Sequence, residues 1–119
     1  MIQKSTILTT SDLVGVLKVN CFHIYFKKKE RFAKFGDFIK TSNREVMFKY
    51  IKLKKKKFRS IVILLKYRFV KLDGSSLFFK QNSCILLKRR IIAVSKNIKG
   101  CCIYNIKRKK FITSFIKII

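Results

Sequence analysis

Five carboxylates, one imidazole and four thiols are the groups in this chain suited to acid–base, nucleophilic or metal chemistry. Their spacing supports none of the three. Asp12, Glu30, Asp37, Glu45 and Asp73 are scattered, and no two share a local motif of the kind that sets an acid beside a base. Asp37 and Asp73 each adjoin a glycine, Gly36 and Gly74, and a turn role accounts for both. His23 lies alone in a strand-like stretch. Cys21, Cys84, Cys101 and Cys102 form no C-x-x-C pair, and the adjacent pair at 101–102 is not zinc spacing. Buried free thiols in a reducing compartment are the expected state, with no metal and no cofactor. Phosphate loops, dinucleotide fingerprints and nucleophile elbows do not occur. No catalytic residue is assigned, and an enzyme ranks last among the functions considered.

The chemistry that remains is phosphate binding. Thirty Lys and Arg stand against five Asp and Glu in 119 residues, a formal net charge of +25. A chain this positive repels its own copies, so no homo-oligomer is expected, and the partner it fits is a large polyanion. The cations run the whole length, from Lys4 and Lys18 to Lys117, and cluster where loops are expected. Lys27, Lys28, Lys29, Arg31 and Lys34 form the first cluster, with Lys40 beyond it. Lys49, Lys52, Lys54, Lys55, Lys56, Lys57 and Arg59 form the second. Lys66, Arg68 and Lys71 follow, then Lys88, Arg89 and Arg90, and finally Lys107 and Arg108. Lysine grips phosphate as a mobile point charge and reads no sequence. Phe26, Phe32, Phe35, Phe48 and Tyr50 flank the clusters; some are suited to stacking on unpaired bases, and more of them are expected in the core.

The elements that must hold these cations read mainly as strands. Hydrophobic residues make up 49% of the chain, with 12 Phe and 4 Tyr, which separates it from charged but disordered sequences. Residues 16–26 are branched and aromatic, 37–48 open with apolar alternation, and 58–67 contain the continuous run Ser60-Ile61-Val62-Ile63-Leu64-Leu65. Residues 77–79 and 84–87 are two further short strands. Strands of this length in series predict a small barrel, closed or half closed. Asp73-Gly74 predicts a hairpin turn with positive φ at both central residues. Asn82 suits a left-handed turn, and Gly15, Gly36 and Gly100 mark other tight places. Phe111, Ile112, Phe115, Ile116 and Ile119 recur at helical spacing, so 107–119 predicts a short terminal helix, with a strand as the alternative. The whole, 1–119, is read as one domain, a barrel over about 1–88 and a helical segment over about 89–119. So much repulsion over a modest core predicts marginal stability without the partner.

Lys, Ile, Phe and Asn abound while Ala is scarce and Pro and Trp are absent, the mark of an A/T-biased gene such as an organelle's. No uncharged apolar stretch is long enough to span a bilayer, so no membrane insertion is expected. The first fifteen residues have neither a secretory core nor an Arg-rich transit helix; the chain is made where it works, or a leader has been removed.

Residues 72–86, LDGSSLFFKQNSCIL, follow the aliphatic run Ile61-Val62-Ile63. This resembles the signature of the L-fourteen family of large-subunit ribosomal proteins: an aliphatic run, a spacer, then Asp73-Gly74, Phe79, Asn82 and Ile85-Leu86. The start, with Thr6, Leu8, Asp12 and Gly15, is similar to the family's, as is the stretch Phe32-Ala33-Lys34-Phe35-Gly36-Asp37-Phe38-Ile39-Lys40, and the resemblance continues through Ile98, Gly100 and Phe111. It implies a mainly β fold, a small five-stranded β-barrel with a C-terminal segment containing short helices. It implies a structural constituent of the large ribosomal subunit bound to large-subunit rRNA near the sarcin–ricin region. It further implies neighbours from the L-nineteen and L-three families and a bridge to small-subunit rRNA. Leu72 stands where the family commonly has Pro, and lysines replace the Pro and Gly usual between the third and fourth strands. The family start coincides with Met1, which with the A/T bias gives the expectation of a mitochondrially encoded protein of the mitochondrial ribosome in the matrix, the alternatives being a plastid or a bacterial cytoplasm. The rival functions are a free-standing nucleoid-type binder of nucleic acid and a basic membrane-surface protein, the latter opposed by the strand-rich body.

Overall fold

The computed structural model describes residues 2–12, 15–25, 31–88, 92–95, 98–103 and 115–118, with side chains up to Phe115. Expectations for Phe26, Lys27, Lys28, Lys29, Arg89, Arg90, Lys107 and Arg108 lie outside the described residues. Among the described residues nine strands follow in chain order: β1 (Ile7–Thr10), β2 (Val16–Ile24), β3 (Phe38–Val46), β4 (Lys57–Leu64), β5 (Arg68–Val70), β6 (Ser76–Phe78), β7 (Ser83–Leu87), β8 (Ile98–Cys102) and β9 (Phe115–Ile118). A 3-10 helix, Phe48–Leu53, joins β3 to β4.

Five strands close into a barrel in the order β1-β2-β3-β4-β7. The neighbours are antiparallel except at the seam, where β1 runs parallel to β7 with Thr9 opposite Ser83 and Thr10 opposite Cys84. Closure removes the unpaired edges that an open sheet of this size would present. Alternation sets the interior: Leu8, Val19, Cys21, Ile39, Val62, Cys84 and Leu86 pack together, and Ile2, Ala33 and Leu65 join the same cluster. Ile2 bridges to Ala33, which ties the N-terminus to the segment before β3. Two buried hydroxyls inside, Thr41 and Ser60, satisfy each other at 2.7 Å.

The run Ile61–Leu65 is apolar without interruption because β4 is buried on both faces. Val62 faces the barrel interior, while Ile61 and Ile63, with Ile85 and Leu87 of β7, form a second cluster with Ile98, Cys102 and Phe115. The parallel pair β8–β9 therefore covers the outer face of β4 and β7. Each Ile or Leu buried there contributes about 1.5–3 kcal/mol of transfer free energy.

Three expectations are corrected. The strand at 77–79 is not a barrel strand: Ser76–Phe78 pairs with Arg68–Val70 in a separate hairpin, and Ile7–Thr10 supplies the fifth strand. The hairpin turn is not of the type expected, because Gly74 takes φ 90° and Asp73 stays out of the left-handed region. Gly74 N–H donates to the Lys71 carbonyl and Lys71 N–H to the Ser75 carbonyl, a three-residue loop in which one glycine suffices. Of the terminal segment, Phe115–Ile118 is a strand rather than a helix, and the remainder of 107–119 lies outside the described residues. Ile and Phe suit either state; the edge of β8 and the apolar face beneath Phe115 select the strand. Among the described residues the helical element lies between β3 and β4, not toward the C-terminus.

Candidate nucleic-acid interface

The barrel's outer wall carries the charge. On β3 and β4 the outward positions are Lys40, Ser42 and Arg44, and Lys57 and Arg59, while Ile39, Thr41 and Asn43 point inward. Lys40 and Arg59 are direct cross-strand partners, and His23 of β2 stands opposite Lys40 on its other side. A register shift between Cys21 and His23 leaves Phe22 and His23 both exposed on that wall. The Lys40 and Lys57 ammoniums lie 5.8 and 5.5 Å from the Phe22 ring centroid, and the Arg59 guanidinium lies 5.0 Å from that of Tyr25. Such cation–π contacts are worth about 0.5–1 kcal/mol at exposed sites and fix the direction in which flexible cations point. A cleft of about 500 Å³ opens here, lined by Tyr25, Lys40, Lys57, Phe58, Arg59, Leu87 and Lys88.

Three further basic regions lie beyond this wall. Lys49 and Lys52 project from the 3-10 helix and Lys54, Lys55 and Lys56 from the turn after it, all exposed and accompanied by Phe48, which is 92% exposed. The helix is held from behind. Asn43 donates from Nδ2 to the Leu53 carbonyl at 2.6 Å, and Met47 N–H donates to the Gly15 carbonyl at 2.7 Å. Gly15 has φ 97°, and a Cβ there would overlap the Tyr50 ring, so the close approach requires glycine. Lys66, Arg68 and Lys71 belong to the β5–β6 hairpin, whose inner face packs Phe69 edge-on against Phe35. Lys4, Arg31 and Lys34 are exposed near the end closed by Ile2 and Ala33.

Three of the described acids, Asp12, Asp37 and Asp73, are held by backbone or serine donors. Glu45 meets Lys18 at 3.4 Å in an exposed pair. Asp37 accepts from Lys34 N–H at 2.7 Å and holds the turn into β3 beside Gly36, whose φ is 77°. Asp73 accepts from Ser75 N–H and Oγ, which holds its carboxyl below the usual carboxylate range. Asn82 does not take the left-handed turn conformation; its Oδ1 accepts from Lys66 N–H at 2.8 Å and its carbonyl from Thr9 N–H, pinning the hairpin's root to β1. Gly100, φ 98°, lies within β8.

Asp12 differs from the other described acids in keeping one buried oxygen without a partner. It is buried, with Oδ2 accepting from Leu86 N–H at 2.6 Å and Oδ1 meeting no partner. Burial pushes its carboxyl up to about 6, against the lowering effect of the Leu86 N–H. Burial also raises the neighbouring Cys84 thiol, and the Asp12 charge adds to that. All four cysteines are free. No described group here has the paired geometry of a catalytic dyad.

Sequence reasoning missed Arg44, Lys80 and the two rings that organise the wall, Phe22 and Tyr25. The signal was available in part: Phe22 and His23 on β2, and Tyr25 just after it, precede the first lysine cluster in the sequence. Of the rings it did name, Phe48 is exposed, Tyr50 packs over Gly15, and Phe35 belongs to the core with Phe69 and Phe79.

Comparison with known proteins completes the description. The sequence model of the family described as ribosomal protein L14p/L23e matches residues 1–118. The chain is similar to the large ribosomal subunit protein uL14m of Tetrahymena pyriformis, 36% identical over 115 residues that cover 97% of each chain. It is also similar to the large ribosomal subunit protein uL14 of Carsonella ruddii (strain PV), 29% identical over 111 residues, 93% of this chain and 91% of the other.

Proposed function

The chain belongs to the ribosomal protein L14p/L23e family, and we propose that its cationic outer wall binds the RNA of the large ribosomal subunit directly. As a family member it is a structural constituent of the large subunit and not an enzyme. The observation that carries the RNA reading is the wall of Lys40, Lys57, Arg59 and Lys88, lined by no described acid. Phosphates arriving there displace condensed counterions and relieve the repulsion among these side chains. The basic 3-10 helix and the β5–β6 hairpin extend the contact beyond the barrel, and the expected sites Lys4, Arg31, Lys34, Lys49, Lys52, Lys54, Lys55, Lys56, Lys66, Arg68 and Lys71 are peripheral phosphate contacts. The relative named uL14m supports the mitochondrial ribosome as the place of work, and the matrix is our assignment. Neighbours of the L-nineteen and L-three families, and a bridge to small-subunit rRNA, complete the proposal.

Sedimentation tests it. The tagged chain should travel with large subunits and stay with them through a wash of about 0.5 M salt, where contacts outside the Debye length of roughly 4–5 Å are screened away. A chain found on DNA and missing from ribosomal fractions would establish the nucleoid reading instead.

A further inference from the structure

We infer that the cleft on the barrel wall seats a single unpaired RNA nucleotide, its phosphate among Lys40, Lys57, Arg59 and Lys88 and its base on the stacked pair of Arg59 and Tyr25. The inference rests on the RNA-binding reading above and narrows it from a surface to a site. Two ammoniums converge on one ring, Lys40 at 5.8 Å and Lys57 at 5.5 Å from the Phe22 centroid. Like charges gathered on one ring repel each other across distances that salt screens poorly, and no described acid lines the cleft to offset them. An anion entering between them is what the arrangement lacks. The floor supplies the second half of the site. The guanidinium of exposed Arg59 lies over the Tyr25 ring at 5.0 Å, and its outer side is a planar cation of the kind on which bases stack. The volume of about 500 Å³ falls within the range of sites that enclose small organic ligands. A paired A-form helix presents its phosphates on a convex rod and keeps its bases inside, so it cannot fill a concavity. A nucleotide already out of the stack can enter without the energy of unpairing.

The probe is a pair of short RNA hairpins, one with a single bulged uridine and one fully paired, titrated against the full chain at elevated salt. The bulged hairpin should bind about tenfold more tightly, the gain of one stacked base. Arg59→Gln with Lys88→Gln should weaken both complexes and bring their ratio near one. Tyr25→Leu, which removes no charge, should lower the ratio and weaken the paired hairpin less than the double cation variant does. Lys54→Gln with Lys55→Gln, which do not line the cleft, should weaken both complexes and keep the ratio. Circular dichroism melting confirms that each variant is folded. Equal affinities for the two hairpins, or a ratio that survives both cleft variants, overturns the nucleotide seat while salt-dependent binding of the paired hairpin leaves the broader RNA reading standing. Failure of the natural chain to bind either hairpin overturns both.

Discussion

A buried carboxylate with one oxygen unpartnered should destabilise a barrel in proportion to its ionisation, and Asp12 is such a group. It earns its place by geometry: Oδ2 accepts from Leu86 N–H, Asp12 itself bridges to Ile98, and Ser11 beside it accepts from Lys99 N–H. Those bonds fasten the start of β8 to the barrel seam. Because burial raises the folded carboxyl from 3.8 to about 6, the protonated form is the one the fold prefers. The sign follows: this residue's contribution is most favourable below about pH 4 and is lost as pH climbs to about 6, an effect of order 3 kcal/mol. Asp12→Asn keeps an acceptor for Leu86 N–H and carries no charge. Measured by chemical denaturation, its stability relative to the natural chain should rise between pH 4 and 6 and then level off. A difference that does not change with pH would show that Asp12 ionises in the fold at its unfolded value, and a difference that keeps growing above pH 6 would show that it stays protonated there.

At the scale of elements, stability and binding are divided between different sides of the same strands. β4 presents Arg59 to solvent at one end and Ile63, 1% exposed, to the β8–β9 sheet at the other. Ile63→Asp buries a charge without a partner, a loss of about 3–5 kcal/mol, and should release the C-terminal strands to protease while the barrel interior, built from Val62, Cys84 and Leu86, still resists. Lys52→Glu, Lys54→Glu and Lys55→Glu together should leave the melting temperature within a few degrees and impair subunit incorporation, since these side chains are exposed. Simultaneous digestion of barrel and terminus in the first variant would contradict the division. The legibility of the elements follows the same logic. β2, β3, β4 and β7 could be read in advance because their apolar residues alternate or run on without a break. β1 could not, since it is only four residues long and its closing role depends on β7, far along the chain. The 3-10 helix lay hidden among lysines, and its place depends on Asn43 and Gly15, which no local pattern reveals. β9 was ambiguous because its pairing with β8 is tertiary. In the candidate site the cations were evident from composition, whereas Phe22 and Tyr25 became visible only once the bulge and the cross-strand register were known.

The whole molecule sets two salt responses against each other. A formal charge of +25 is held within a radius of gyration of 13.8 Å, close to the ~13.5 Å expected for a compact chain of this length. Many pairs of like charges therefore lie within or near a Debye length of about 8 Å at physiological salt, and their repulsion opposes folding. Salt screens that repulsion, so the melting temperature of the isolated chain should rise as salt increases from about 0.05 to 0.5 M, the reverse of what surface ion pairs would produce. RNA binding should move the other way, because the free energy of association comes from releasing counterions that added salt puts back. For about eight phosphates contacted, the slope of log affinity against log salt should be roughly −6 to −7. The two measurements share one cause and must agree in it. If the isolated chain melts lower or unchanged in added salt, its cations are balanced within the fold and RNA is not needed to relieve them. If instead the melting temperature rises while RNA affinity stays flat, the polyanion this surface meets is bound by something other than its charge.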